Sequence, residues 1–218
     1  MKKVAVLLSG NGVFDGAEIN EAVLTLLALE ESGLEYQCFA PNRNQHHVIN
    51  HVTGEEMPES RNIMIEASRI VRGNIQSLAE CKADDFSALL VVGGFGVAKN
   101  FSDLAFKGQE LSVAPDFMSV CSDFKEENRV CGYMCIAPAL LPLIYNDVET
   151  TIGNDKDTVS CIESLGGKHI CAKVDEVVID VKNKVVTTPA YMLATNLVDA
   201  KKGIDKLVME VKSMILSA

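Results

Sequence analysis

Two short runs, Lys3 to Leu8 and Ala88 to Val92, are almost wholly apolar and rich in valine and leucine. Neither alternates polar with apolar residues, so neither suits a strand with one wet face. Such runs fit strands covered on both sides in a parallel sheet. Between them lie segments of helical spacing. The first run leads through Ser9-Gly10-Asn11-Gly12 into a helix expected from about Gly16 to Ser32, closed by Gly33, with a second strand over Glu35 to Ala40. This opening reads as a right-handed βαβ unit. Arg61 to Arg72 and Thr158 to Gly166 have helical spacing, and Arg129 to Met134 reads as a strand. Val177 to Asp180 and Lys184 to Thr188 flank Val181-Lys182-Asn183 as a hairpin, and the pattern after Pro189 is helical to the end. The fold class is therefore α/β with a mostly parallel central sheet.

The 218 residues, 48% of them hydrophobic, suffice for one core, and residues 1–218 read as a single domain. The polar stretch Asn42 to Ser60 has few apolar anchors and reads as an insertion at the sheet edge. A net charge of −10, with no lysine or arginine cluster to offset it, argues against nucleic acid and anionic membrane as partners. The seven cysteines are odd in number and contain no C-x-x-C pair, so neither a disulfide framework nor a zinc knuckle is expected. The first strand begins at Lys3, which predicts no leader segment, and no apolar run is long enough to span a bilayer. Cytoplasmic residence is expected, or the mitochondrial matrix for a processed organelle form.

Cys135 stands where the strand Arg129 to Met134 turns into an apolar helix, read as Ile136 to Tyr145. A thiol at such a turn faces the free N–H groups of the helix start, which favour a thiolate. Cys135 is accordingly the leading candidate nucleophile, against the plainer reading of a small buried hydrophobe. Its proton needs an acceptor, and the first helix offers Glu18 and Glu21. Asp15 and Glu18 have the spacing of a capping box, which gives Glu18 a structural task. Glu21 has none. Placed in the first turns of a βα unit, near the carboxyl ends of the strands, a buried Glu21 would be held protonated and could shuttle a proton. The cluster Gly93-Gly94-Phe95-Gly96 ends a core strand, where it serves either as a tight turn or as a source of backbone N–H groups for an oxyanion.

Other motifs lack a part that their chemistry needs. In Gly10-Asn11-Gly12-Val13-Phe14-Asp15-Gly16 the third glycine falls one position late for a dinucleotide fingerprint, and no acid ends the second strand to hold a ribose. The phosphate loop is absent. His47 and His51 could share a helix face, but no acidic base lies between them, so they read as solvated histidines and no metal site is expected. His169 is followed by Ile170 and Cys171 where a glutaminase triad needs His-x-Glu.

A set of co-linear motifs carries a resemblance. Met134-Cys135-Ile136-Ala137-Pro138-Ala139 looks like the nucleophile elbow of the DJ/PfpI superfamily. Leu8 to Ile19, Ala40-Pro41, Val48 to Glu55, Gly93 to Asn100, Thr151-Ile152-Gly153 and Thr187 to Met192 resemble the ElbB family, named for enhancing lycopene biosynthesis, nearly end to end. The resemblance implies a flavodoxin-like three-layer sandwich of the class I glutamine amidotransferase-like fold. It also implies a homodimer and a cofactor-free reaction at Cys135. It places Glu21, rather than Glu18, beside the cysteine, and puts oxyanion donors at the backbone of Gly94 or Phe95 and of Ile136. Superfamily members often add a histidine near the thiol, and this chain has none at the matching places. The activity it implies is a glyoxalase-like conversion of a small aldehyde, glyoxal, to glycolate, with no cofactor or metal.

A second reading fits the same thiol: a redox or metabolite sensor, or a partner-binding protein, whose Cys135 is oxidised reversibly. Cys131 would make a poor resolving partner. Four residues along one strand put the two thiols on the same face but roughly 13 Å apart at ~3.3 Å per residue.

Overall fold

A computed structural model describes residues 3–217. Its strands and helices in chain order are β1 (Lys3–Leu7), α1 (Ile19–Glu31), β2 (Tyr36–Ala40), α2 (Ile63–Ile70), β3 (Ile75–Ser77), β4 (Phe86–Val91), α3 (Phe95–Lys99), α4 (Leu104–Lys107), α5 (Pro115–Glu126), β5 (Val130–Met134), β6 (Glu149–Thr150), α6 (Lys156–Ser164), β7 (Lys168–His169), β8 (Val178–Asp180), β9 (Val185–Thr188) and α7 (Leu197–Leu216). Seven strands form the central sheet in the order β3-β2-β1-β4-β5-β9-β8. Every pair is parallel except the hairpin β8-β9. The two runs that opened the sequence, β1 and β4, pair at the centre of the sheet.

Alternate side chains of each central strand enter opposite layers, as the period of two requires. Val4, Val6, Ala88, Leu90 and Met134 face α1, α2 and α7, whereas Ala5, Leu7, Leu89, Val91 and Tyr133 face α3, α5 and the segment after β5. Burial on both faces explains why these strands carry no polar alternation. The architecture is the flavodoxin-like three-layer α/β sandwich. Among the described residues, no helix is long and apolar enough to cross a membrane.

Several expectations are corrected. The apolar segment after Cys135 is no α-helix: Ala137–Leu143 winds as a 3-10 helix containing Pro138 and Pro142, which deny the backbone two of the N–H groups that an α-helix uses. α1 starts at Ile19 rather than Gly16, and its cap is Glu18 itself, whose Oε2 accepts the Glu21 N–H at 2.6 Å. Asp15 therefore forms no capping box with Glu18. Its Oδ2 instead accepts the Ile49 N–H at 2.7 Å, pinning the 42–60 segment. That segment lies over the loops that follow β1 and β4 rather than at the sheet edge. The His46 N–H donates to Asn100 Oδ1, and the Phe14 N–H donates to His51 Nε2. His51 is thus a bridge in a loop, not part of a helix face with His47. After Pro189 the chain makes one 3-10 turn, Ala190–Met192, and breaks before α7. Cys131 and Cys135 enter opposite layers, because the turn at Cys135 reverses the strand's alternation.

Candidate active site

Three strands deliver the site at their carboxyl ends. Cys135 follows β5, Gly93 and Gly94 follow β4, and Tyr191 follows β9, while Glu21 reaches them from the first turn of α1. The Cys135 backbone has φ 60°, a left-handed conformation that a non-glycine residue adopts at a cost of about 1–3 kcal/mol. Its N–H donates to the Thr188 carbonyl at 3.0 Å, so β9 holds the turn in place. The strained turn lifts the side chain out of the sheet register and sets Sγ beside the Glu21 carboxyl. Cys135 is only 7% exposed, and Glu21 is fully buried.

Both carboxyl oxygens of Glu21 are held. Oε2 accepts the Gly93 N–H at 3.1 Å, Oε1 accepts the Tyr191 N–H at 3.0 Å, and the carboxyl also bonds the Cys135 thiol. Burial dominates over these bonds and pushes the Glu21 carboxyl up to about 8, helped by the nearby charge of Glu18. Glu18 sits one turn away, with its own carboxyl raised by burial and committed to the start of α1. The geometry thus brings Glu21, not Glu18, to the thiol.

The Cys135 thiol is likewise raised well above its ordinary value, first by burial and then by the adjoining carboxyl. The expectation of a thiolate held by a helix start is therefore corrected: no α-helix begins there, and the low dielectric disfavours the anion. Only the N–H groups of Gly94 and Ile136, both directed at Sγ, oppose that rise. These two donors form a small anion-holding notch beside the sulfur. Phe95 does not contribute to it, since its N–H donates to the Val13 carbonyl at 2.7 Å.

Gly93 shows how tightly the site is drawn. A Cβ built there would lie 2.3 Å from Cys135 Cβ and 2.5 Å from Glu21 Oε2, so only glycine lets thiol and carboxyl meet across this backbone. Gly94, at φ +97°, turns the chain so that its N–H points inward. Sequence reasoning missed Gly93, Tyr191 and Thr188 as individual contributors. The glycine cluster signalled the first, whereas nothing local marks Tyr191, whose part is played by its backbone.

Above Cys135 opens a cleft of about 620 Å³. Val13, Phe95, Ala98, Leu104, Ile136 and Met192 supply apolar wall, and Asp155 and Asp157 stand among the polar lining. Among the described residues, no group of three or more histidine, cysteine, aspartate or glutamate side chains is placed to hold a metal ion.

No family model matches the chain. The human (Homo sapiens) glutamine amidotransferase-like class 1 domain-containing protein 3, a mitochondrial protein, is 41% identical over 219 residues, spanning 96% of this chain and 82% of that one. The mitochondrial ES1 protein of Danio rerio is 31% identical over 210 residues, spanning 88% of this chain and 78% of that one. Among solved structures, an isoprenoid biosynthesis protein with an amidotransferase-like domain from Ehrlichia chaffeensis matches at TM-score 0.90 and 35% identity, covering 97% of this chain and 99% of that one. Glyoxalase III of Candida albicans matches at TM-score 0.62 and 15% identity, covering 97% and 96%, a likeness of fold.

Proposed function

The chain belongs to the family of class I glutamine amidotransferase-like proteins that includes ES1 and the ElbB-like isoprenoid biosynthesis proteins, and from that premise we propose that it converts glyoxal to glycolate without a cofactor. The observation that carries this reading is the Cys135 thiol bonded to a buried, protonatable Glu21, with two backbone N–H groups aimed at the sulfur. Glu21 is mostly protonated near neutral pH, and the fraction that is ionised accepts the thiol proton as Sγ adds to one aldehyde carbon. It then passes that proton to the new alkoxide, forming a hemithioacetal and freeing the carboxylate for the next step. The N–H groups of Gly94 and Ile136 hold the developing oxyanion. Glu21 then moves the carbon-bound proton by way of an enediol to the neighbouring carbon, which becomes a hydroxymethyl group while the sulfur-bearing carbon becomes a thioester. Water cleaves the thioester, releasing glycolate and restoring the thiol. One carbon is oxidised and its neighbour reduced, so the electrons balance within the substrate.

The test is glycolate formation from glyoxal by purified protein beside Cys135→Ala, with methylglyoxal as a competing substrate. Turnover that the variant lacks is the expected result; equal activity in both would overturn the mechanism. The sensor reading asks for a thiolate at neutral pH, which burial and Glu21 both oppose. A homodimer is part of the proposal, supported by the exposed stripe Ile19, Val23 and Leu27 along α1. So is residence in the cytoplasm or in the mitochondrial matrix, the latter supported by the mitochondrial relatives.

A further inference from the structure

The cleft above Cys135 is far larger than glyoxal. At ~30 Å³ per water, a molecule about two waters in size occupies roughly 60 Å³, against about 620 Å³ of cleft. Clefts of roughly 300–1,000 Å³ bury molecules of drug-like size. The wall is mostly apolar and contains no lysine, arginine or histidine side chain. Phe95 presents its ring half-exposed to the opening. Lys99, the cation against that ring, sits 5.6 Å from its centroid and donates its ammonium to the Phe14 carbonyl at 2.8 Å, so its charge is engaged away from the cleft. On the α6 side the charged groups are both acids. Asp155 caps α6 through Thr158, a bond that holds its carboxyl below the usual range, and Asp157 lies in the first turn.

We infer that the cleft takes an uncharged 2-oxoaldehyde carrying an apolar substituent of aryl or branched-alkyl size, in preference to glyoxal or to an aldehyde bearing a carboxylate. The inference rests on the 2-oxoaldehyde reading above and enlarges it. The aldehyde carbon meets Cys135, and the substituent lies along Phe95, Leu104, Ile136 and Met192. The chemistry is unchanged: the aldehyde carbon is oxidised to a carboxylate, the adjacent ketone is reduced to a secondary alcohol, and one water is taken up. A neutral substrate thus becomes an anionic 2-hydroxy acid in a cleft whose charged lining residues are Asp155 and Asp157, and like-charge repulsion favours its departure.

The experiment compares kcat/KM for glyoxal, phenylglyoxal and 4-carboxyphenylglyoxal, with Cys135→Ala as the blank. Burying an aryl group on the apolar wall predicts phenylglyoxal at least tenfold above glyoxal. The carboxylated analogue, equal in shape but anionic, is expected at least tenfold below phenylglyoxal. A second arm measures binding of mandelamide, mandelate and glycolamide to Cys135→Ala by calorimetry, with no chemistry required. Mandelamide binding tightest supports the inference even if no aldehyde is turned over, in which case the reaction reading alone fails. Glyoxal turned over as well as phenylglyoxal, or mandelamide bound no more tightly than glycolamide or mandelate, overturns it.

Discussion

Replacing Glu21 by glutamine removes a titration that the folded protein opposes. In the unfolded chain this carboxyl ionises near 4.5, and in the fold burial delays ionisation to about 8. Between those values the folded state binds the extra proton, so stability falls as pH rises through this window and levels off above it. The gap from 4.5 to about 8, at about 1.4 kcal/mol per pH unit, amounts to about 5 kcal/mol in all. About 4 kcal/mol of it falls between pH 5 and pH 9. Glu21→Gln cannot lose a proton. It instead sets an amide nitrogen against the N–H of Gly93 or Tyr191, a pH-independent cost of about 1–3 kcal/mol. Urea unfolding of both proteins from pH 5 to pH 9 isolates the group together with its coupling to Glu18, Cys135 and Tyr191, because the other titrations are shared. Wild type is expected to be the more stable at pH 5 and to lose about 4 kcal/mol relative to the variant by pH 9. A difference constant within about 1 kcal/mol would refute the claim that this carboxyl is held neutral by the fold.

The same pair governs reactivity. Alkylation of Cys135 by iodoacetamide is expected to be slow at pH 7 and to accelerate well above pH 8, since burial and Glu21 raise the thiol; fast labelling at neutral pH would restore the sensor reading. Glu21→Gln should lower kcat for glyoxal more than Glu18→Gln, whose amide oxygen can still accept the Glu21 N–H and keep the start of α1, and the reverse ranking would reassign the base. Gly93→Ala forces a methyl between Cys135 and Glu21 and is expected to cost about 1–3 kcal/mol together with nearly all turnover, measured by thermal unfolding and glycolate formation. Asp15→Ala frees the Ile49 N–H and should expose the 42–60 segment to proteolysis while the rest of the chain resists.

What the sequence discloses depends on whether a feature is repeated along the chain or made across it. β1 and β4 are legible because strands buried on both faces must be apolar at every position, and α1 because its closing glycine is local. β3, only Ile75–Ser77, is too short for a period, and its exposed Gln76 gives no hint of pairing with β2. At the site, the elbow around Cys135 is readable from spacing, and the choice of Glu21 over Glu18 from resemblance. The state of the thiol is not. It depends on how much water burial removes and on a carboxyl from another layer, and neither lies near Cys135 in the chain. The Asp15–Glu18 spacing misleads because the tertiary contact from Asp15 to Ile49 displaces the local one.

Order of synthesis adds a constraint on the living chain. Glu21 emerges from the ribosome among the first residues, Cys135 past the middle, and the Tyr191 N–H and Thr188 carbonyl that secure them both only near the end. Until β9 slides in beside β5, the sheet has an open edge there and the carboxyl lacks one of its two backbone donors. A nascent or prematurely stopped chain therefore carries a solvated, ionised Glu21 and an unrestrained thiol, with none of the strained geometry at Cys135. The pairing of Cys135 with a neutral Glu21 is completed only once β9 and Tyr191 are in place, so incomplete products carry an ordinary solvated thiol instead of the buried pair.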